Sequence, residues 1–336
     1  INEYRGFDVI IGNPPYVEYN KKIQGIAISD LYKLVGYKTI SCGNLYAYIL
    51  ERSKKIMKQE SFISMIVPLS GHSTERMAPL VTNFYEKFGL HLHLNLSADA
   101  NPQKLFEGVK FRLGIFIATD TGKGRYSTKY TRWLADERKI LFNALVRYNS
   151  IEDYTYQNII PKIASPLFVS IAKKINTEKT QYFIGVGNLQ CLYHNAPVNW
   201  IRSHTFVPYF CSERDGEGIT TQLKSVSFDN GKQVKVGSCI LNSSLFFIWW
   251  ITNSDCYHLN KPEIVNFKYQ YDKGVEKEIC SVADRLAKDM KKKSIRRVYN
   301  YKTTGRVEYD EFYMKLSKPI IDEIDKVLAR HYGFTE

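Results

Sequence analysis

Residues 13–16 read Asn-Pro-Pro-Tyr, a set of residue types that can hold an aromatic amine for methylation. The lone pair of such an amine is delocalised into the ring, so its N–H groups must be fixed by two acceptors. Asn13 offers a side-chain carbonyl and Pro14 a backbone carbonyl, and the two prolines hold both in one rigid loop. If the amine belongs to a nucleobase, Tyr16 can stack on that base, and the base must first leave its duplex to reach the site. The motif predicts catalysis by positioning, without a covalent enzyme intermediate.

The elements around this loop decide between a site and an ordinary turn, because Asn and Pro are common turn formers. An apolar run at 7–11 predicts a buried strand that ends at the loop. Asn44 is expected to cap a helix. Further strands are predicted at 62–67, 90–96 and 111–119, and helices at 45–58 and 76–88. Strands that alternate with helices predict an α/β sheet, and this setting favours the site over the turn.

A second region begins after about residue 140, where Tyr, Asn, Gly and Ser become frequent behind a linker-like helix. Candidate strands lie at 181–187, 190–193, 204–210, 224–228 and 233–240, and helices at 243–253, 281–293 and 317–331. The sequence therefore predicts a partial Rossmann-like sheet over 1–140, a mixed α/β domain over 150–295 and a helical C-terminal tail over 296–336.

The composition bounds the class of partner. The net charge is +13, from 47 Lys and Arg against 34 Asp and Glu, which indicates nucleic acid first and an anionic membrane surface second. No run of about 18 apolar residues is present, so no membrane-spanning helix is expected. The six cysteines form no CxxC pair, and the histidines show no metal spacing although His91 and His93 share a strand face. Reduced thiols, no metal and a cytoplasmic location are expected.

A basic stretch at the end of the predicted helix at 281–293 is the best candidate for phosphate contacts, since it is interleaved with Tyr299 and Tyr301. A solvated helix end explains these charges equally well. Polar side chains between 181 and 240 could read bases, but none can be chosen from the sequence. The basic set consists of Lys288, Lys291, Lys292, Lys293, Arg296 and Arg297.

The strand and loop at 7–16 resemble motif IV of the amino-methyltransferases, and the wider chain resembles the Eco57I-type and type IIG restriction-modification adenine methyltransferases. The resemblance implies adenine-N6 methylation of double-stranded DNA, with S-adenosylmethionine contacted from Asp8 and Asn13. It implies that Phe106 stacks on the far face of the flipped adenine, with Phe111 as the rival, and that 150–295 is the target-recognition domain. The resemblance continues in 43–46, 62–68, 105–116, 241–246, 255–261 and 317–325.

One part of the family pattern is missing. The family binds its methyl donor with a glycine-rich turn and an acidic residue, both placed before the Asn-Pro-Pro-Tyr loop. Only twelve residues precede the loop here, and the glycines at 122–124 and 185–187 lack a strand-to-helix context. The chain also starts at Ile1, not Met. We therefore expect a fragment that is inactive alone and needs the missing N-terminal half of the same protein.

Other functions remain open at this point. The same loop also occurs in methyltransferases that act on a glutamine amide of release factors or on a guanine amine of RNA. The long basic C-terminal region argues against the first, which is typically compact. A DNA-specificity module that has lost catalysis is the alternative from a different class.

Overall fold

The structure is a computed structural model that describes residues 6–98, 105–106, 109, 111–154, 156–177, 187–197 and 199–334. The chain divides into two compact units. Unit 1 comprises Ile1–Ser170 and Ile251–Cys256, and unit 2 comprises Ile171–Trp250 and Tyr257–Glu336.

Unit 1 is built on a six-stranded mixed sheet. The strands of unit 1, in the sheet and outside it, are β1 (Phe7–Gly12), β2 (Lys22–Ile23), β3 (Ile26–Ala27), β4 (Met57–Pro68), β5 (Leu90–Leu96), β6 (Leu113–Thr119), β7 (Gly124–Thr131) and β8 (Tyr148–Ser150). The helices of unit 1 are α1 (Ile28–Leu31), α2 (Leu45–Lys55), α3 (Ser70–Ser73) and α4 (Ala78–Asn83). The sheet order is β1-β4-β6-β5-β7-β8, with β2 and β3 forming a separate hairpin. The predicted α/β architecture is confirmed.

The strand directions bring three chain segments to one edge of this sheet. β1 and β4 are parallel, so the loops after both leave at the same edge. β6 is antiparallel to β4, with Leu113 opposite Pro68, so β6 starts where β4 ends. The Asn-Pro-Pro-Tyr loop, the end of β4 and the segment before β6 therefore meet at one edge, which is where open α/β sheets bind ligands.

One face of the sheet packs against the core of unit 1, and the edge strand β1 is largely exposed. On one face Ile63 and Phe116 are fully buried, and the rings of Phe84 and Tyr85 pack on Phe116 at 5.7 and 5.0 Å. The prediction that the strand at 7–11 is buried was wrong. β1 is the edge strand, and Val9 and Ile11 are 55% and 79% exposed.

Two predicted helices of unit 1 exist with different bounds. α2 ends at Lys55, and Asn44 occupies its N-cap position without capping it: the Asn44 amide donates to Glu18 at 3.4 Å. The helix predicted at 76–88 is reduced to α4 between two 3-10 turns. It ends at Phe84 because this side chain is drawn fully into the core, while the Asn83 amide bonds back to the Pro79 carbonyl at 2.8 Å.

Unit 2 combines two small sheets with four helices. α5 (Pro166–Ile175) leads into it from unit 1, and α7 (Ser244–Asn253) ends in unit 1. Its other elements are β9 (Leu189–His194), β10 (Ser203–His204), β11 (Phe210–Ser212), β12 (Gly216–Glu217), β13 (Leu223–Phe228), α6 (Gly231–Asn242), α8 (Lys261–Val265), α9 (Lys273–Lys293), β14 (Ile295–Tyr301), β15 (Gly305–Glu311) and α10 (Lys318–Tyr332). The sheet orders are β10-β9-β13 and β12-β11-β15-β14.

The strand predicted at 233–240 is helix α6. The Asn230 side chain accepts hydrogen bonds from the Lys232 and Gln233 amides at 3.1 and 3.0 Å and so starts the helix. Gly237 lies directly against the Phe228 ring, where any Cβ would collide. The alternating valines suggested a strand, but burial of a helical face and a strong N-cap decide the structure.

Two further expectations for this region are corrected. The strand predicted at 204–210 is wrong over 205–209, since only its ends fall in the short strands β10 and β11, and the segment between them contains Pro208, which cannot donate to a ladder. The tail over 296–336 is not purely helical, since β14 and β15 form a hairpin that joins β11 in unit 2. The strand predicted at 181–187 falls almost entirely outside the described residues.

The remaining strand and helix predictions of unit 2 are confirmed by β9, β13, α7, α9 and α10. Within the described part of the chain, no single helix is long and apolar enough to cross a membrane; only the bent pair α6 and α7 reaches that length and composition together. Both helices of this pair bury apolar side chains inside the protein, among them Ile240, Phe246 and Trp250.

Candidate active site

The Asn-Pro-Pro-Tyr loop lies at the edge of the sheet where β1 and β4 end. Asn13 is exposed at the end of β1, and Pro14 is buried. The chain behind the loop is tied to the start of α2, since the Leu45 amide donates to the Val17 carbonyl at 2.9 Å. The side chain of Asn13 is therefore presented to solvent from a fixed loop.

The Tyr16 hydroxyl lies between two acceptors. Its oxygen is 2.6 Å from Asn13 Oδ1 and 2.9 Å from the Ile66 carbonyl oxygen at the end of β4. Burial raises the pKa of Tyr16 to about 12, so the hydroxyl keeps its proton at neutral pH. A single proton can be donated to only one of the two acceptors at a time. Tyr16 can thus release Asn13 by donating to Ile66 instead.

Aromatic rings surround Tyr16. The Phe111 ring stands edge-on to it at 5.7 Å, and the buried Tyr46 ring at 6.3 Å. Phe111 is 51% exposed, so it has surface left for a planar ligand. Phe106 is also exposed, but no ring contact with Tyr16 occurs for it among the described residues. The structure brings the rival Phe111 to the loop, and stacking by Phe106 stays a prediction; Glu107, Gly108 and Lys110 lie outside the described residues.

A second layer lies behind the loop, in which Gly43 and Asn44 were named from the sequence and Glu18 and Arg76 were not. Arg76 pairs with Glu18 at 2.5 Å, and Asn44 Oδ1 is buried without a hydrogen-bond partner among the described residues. Gly43 has φ +64°, and a Cβ there would collide with the Arg76 guanidinium. Only glycine fits this position easily. The Gly43-Asn44 pair was the one available signal for it.

The described residues do not fit S-adenosylmethionine by themselves. Asp8 lies at the start of β1 and Asn13 just beyond its end, roughly 16 Å apart at about 3.3 Å per residue. Both Asp8 carboxylate oxygens are 2.9 Å from Lys58 Nζ, which lowers the Asp8 pKa by a hydrogen bond. The loop after β1 also lacks a glycine-rich strand-to-helix turn. Contact of a cofactor with Asp8 and Asn13 stays a prediction.

His93 packs against a third buried histidine, His72 of α3, with the ring centroids 5.1 Å apart. His91 Nδ1 is 3.0 Å from His93 Nε2, and His72 Nε2 is 2.9 Å from Asn95 Oδ1. Burial lowers the pKa of His72 to about 3 and of His91 to about 4, so both rings are neutral. No group of His, Cys, Asp and Glu in the described ranges has a geometry that could hold a metal. These rings act as core residues.

The predicted basic set divides into two classes. Arg296 pairs with Asp310 and Arg297 with Glu311, each at 2.7 Å, so their charges are committed within the β14–β15 hairpin. Lys288, Lys291 and Lys292 are exposed on α9. Lys291 Nζ also lies 4.4 Å above the Phe206 ring, and Lys293, the remaining member, pairs with Asp289 at 2.8 Å. Any contact of this set with a phosphate backbone stays a prediction.

Comparisons with known proteins give one family match and several partial structural likenesses. The family model described as Eco57I restriction-modification methylase matches residues 1–106. No curated protein matches the chain.

Several solved structures resemble parts of the chain, among them the following three. A cryo-EM structure of a DrdV–DNA complex is 15% identical, covers 54% of this chain and 20% of that one, and has a TM-score of 0.38. A nuclease-deletion mutant of the Type ISP enzyme LlaGI with a DNA substrate mimic is 14% identical, with coverages of 56% and 20% and a TM-score of 0.35. The type IIG restriction endonuclease BpuSI is 9% identical, with coverages of 97% and 54% and a TM-score of 0.31.

This chain spans about a fifth to about half the length of these structures, and likenesses this weak decide nothing about its ligands. The family match is different, because it covers the segment that contains β1, the Asn-Pro-Pro-Tyr loop, α2, β4 and β5. The resemblance predicted from the sequence is confirmed there: residues 1–106 match the Eco57I restriction-modification methylase model.

Proposed function

We propose that this chain is the target-base and DNA-recognition part of an adenine-N6 DNA methyltransferase in a restriction-modification system, acting in the cytoplasm on double-stranded DNA. One observation carries the proposal: Asn13 is presented from a rigid loop at the ligand-binding edge, beside the rings of Tyr16 and Phe111. The proposal is that Asn13 accepts a hydrogen bond from the exocyclic amine of adenine and that the base packs on one or both of these rings.

The role of each side chain follows from its hydrogen-bonding capacity. Asn13 Oδ1 must accept one N–H of the adenine amine, and it now accepts from Tyr16. When the base enters, the Tyr16 hydroxyl donates to the Ile66 carbonyl instead, which lies 2.9 Å away, and Asn13 becomes free. Since the Tyr16 pKa is raised to about 12, Tyr16 serves as a donor and stacking surface, and not as a base at neutral pH.

A further segment of the same protein is proposed to hold S-adenosylmethionine beside β1. Edge strands and exposed apolar faces are sites where another chain segment pairs or packs. β1 is such an edge, and the apolar side chains of Val9, Ile11, Phe62 and Ile117 are exposed on one face of the sheet. Register places Val9 beside Phe62, so the patch is continuous. The chain alone is therefore proposed to be inactive.

The test is modification-sensitive sequencing of DNA from cells that express the full-length gene product. Methyl-adenine at one short motif is expected for the wild type. Asn13→Ala is expected to reduce methylation by about 100-fold or more, by analogy with removing one positioned hydrogen-bonding group from an active site. Asn20→Ala, an exposed asparagine a few residues on, serves as the matched control. Unmodified DNA from well-expressed wild-type protein would favour an RNA or protein substrate, or a module that only binds DNA.

A second experiment separates the two candidate stacking residues. A DNA duplex with 2-aminopurine at the target position reports a base that has left the stack. Phe111→Ala is expected to lower the fluorescence change more than Phe106→Ala, because Phe111 is the one of these two rings that contacts Tyr16 among the described residues. The reverse order would restore Phe106 as the stacking residue.

A further inference from the structure

Unit 2 contains a cavity that the proposed methyl transfer does not use. It has a volume of about 620 Å³ and is lined by both small sheets of the unit, including His194, Arg202, Gln222, Tyr301 and Tyr309. Small-molecule sites typically measure about 300–1,000 Å³, so the cavity has the size of a ligand site.

Arg202 gives the cavity its charge. Its Nε atom is fully buried and has no hydrogen-bond partner among the described residues. Arg202 as a whole is half-buried. Burial lowers the pKa of its guanidinium, and the charge of Glu311 raises this pKa by less. A buried N–H group without an acceptor loses the hydrogen bond that it would make with water. The partner that would relieve this cost is an anion in the cavity.

The carboxylates that line the cavity are already engaged by other cations. Asp215 pairs with Arg214 at 2.8 Å and Asp310 pairs with Arg296 at 2.7 Å. Glu311 accepts hydrogen bonds from Arg297 Nε at 2.7 Å and from the Tyr313 hydroxyl at 2.6 Å. Its charge also acts on Arg202. Within the described ranges, Arg202 therefore has no carboxylate of its own.

Aromatic rings also line the cavity, among them Tyr301 and Tyr309. The Tyr309 ring stacks on the Tyr299 ring at 6.0 Å with an interplanar angle of 18°, which fixes its orientation. Tyr301 follows on the same face of β14 and is 51% exposed. Aromatic side chains arranged this way stack on nucleobases. The two His194 ring nitrogens are buried without partners among the described residues and provide further polar groups.

We propose that this cavity binds a nucleotide, with its phosphate on Arg202 and its base against Tyr301 and Tyr309. Arg202, whose Nε lacks an acceptor among the described residues, lines the cavity together with the half-buried Tyr309 ring and the exposed Tyr301 ring. These groups match the two halves of a nucleotide, an anion and a planar ring. The nucleotide is either free in solution or an unpaired residue of a DNA strand. Binding requires neither methyl transfer nor a methyl donor, so its failure and that of the proposed methylation are separate results.

The test uses the whole chain and fluorescence of 2-aminopurine, which stacking quenches. The probes are 2-aminopurine deoxynucleoside monophosphate, a duplex with one unpaired 2-aminopurine nucleotide, the same duplex fully paired, and inorganic phosphate. The wild type is expected to bind the first or the second probe more tightly than the paired duplex. Arg202→Met and Tyr301→Ala are each expected to weaken this binding by about tenfold or more.

Arg330→Met is the matched control, because Arg330 pairs with Glu278 on the surface of the same unit. This substitution is expected to leave binding unchanged. Tyr301 is exposed, so its variant keeps the test valid if Arg202→Met folds poorly. Preference for the unpaired duplex assigns the nucleotide to DNA, and preference for the monophosphate assigns it to a free nucleotide. The proposal is overturned if inorganic phosphate displaces the probes at equal concentration, if nothing binds, or if both cavity variants bind like the wild type.

Discussion

The inner and outer parts of the unit 1 sheet reverse the usual distribution of side chains. On β5, in the interior, His91, His93 and Asn95 are fully buried. On β1, at the edge, Val9 and Ile11 are mostly exposed. The cost of burying the polar groups is partly offset by hydrogen bonds, such as those from the Asn95 amide to Ser127 and Thr128. The exposed apolar groups have no such compensation among the described residues.

This contrast distinguishes the part of the sheet that is covered within this chain from the part that is left exposed. β5 lies between β6 and β7 and belongs to the core of the sheet. Some of its buried polar groups are bonded, while one ring nitrogen each of His91 and His93 has no hydrogen-bond partner among the described residues. An exposed apolar strand at a sheet edge is a liability unless something covers it. The side of unit 1 that carries the Asn-Pro-Pro-Tyr loop is thus the side that another chain segment is proposed to complete.

The largest expected difference comes from replacing one isoleucine on each side. Ile63→Ser is expected to destabilise the chain by about 4 kcal/mol, since Ile63 is fully buried and serine leaves a cavity and a buried hydroxyl. Ile11→Ser is expected to change stability by less than about 0.5 kcal/mol, because Ile11 is 79% exposed. Urea unfolding of both variants measures the difference. Equal losses would mean that β1 is already covered in this chain.

The next effect is a pH dependence that originates in the interior. The pKa values of His72 and His91 are lowered from 6.5 to about 3 and about 4 by burial, so only the unfolded chain binds protons there. Their contribution to stability is present above pH 6.5 and is lost as the pH falls toward 4. The slope is roughly 1.4 kcal/mol per pH unit for each histidine.

Urea unfolding between about pH 7 and pH 5 checks this expectation in a window above the usual titration of carboxylates. His91→Gln should flatten the slope. His258→Gln is the control, because His258 is only partly buried and lies beside Tyr257 in unit 2. A wild-type stability that does not change across this window would show that these histidines are not buried as neutral rings.

The smallest expected effect concerns the basic residues of unit 2, where exposed lysines are compared with arginines that are paired with carboxylates. Lys288→Ala with Lys292→Ala is expected to reduce the salt dependence of DNA binding, by about 0.9 in the logarithmic slope for each phosphate that is no longer neutralised. Arg296→Ala with Arg297→Ala should change this slope less, because both arginines are paired within the hairpin. Filter binding across a salt series measures both. A larger change for the arginine pair would move the DNA-binding surface to β14.

Some of this organisation was predictable because its signals are local. The apolar run before Asn13 and the following prolines specify a strand and a loop whatever surrounds them, and β4, β5 and β6 were found in the same way. The strand predicted at 233–240 failed because alternating valines fit a strand and a buried helix equally well. An N-cap at Asn230 and close packing of Gly237 on Phe228 decided for the helix.

The chemistry of the loop could be known from the sequence, since the acceptors of Asn13 and Pro14 and the ring of Tyr16 depend on residue type and adjacency. Three-dimensional packing was needed to establish which aromatic ring stands beside Tyr16, which arginines are paired and which is left over. These depend on contacts between residues far apart in the chain: Phe111 reaches Tyr16 across the sheet, and Arg202 lacks a carboxylate because Arg296 and Arg297 occupy Asp310 and Glu311. Charge pairing and ring packing are set by distance in space, which no local pattern encodes.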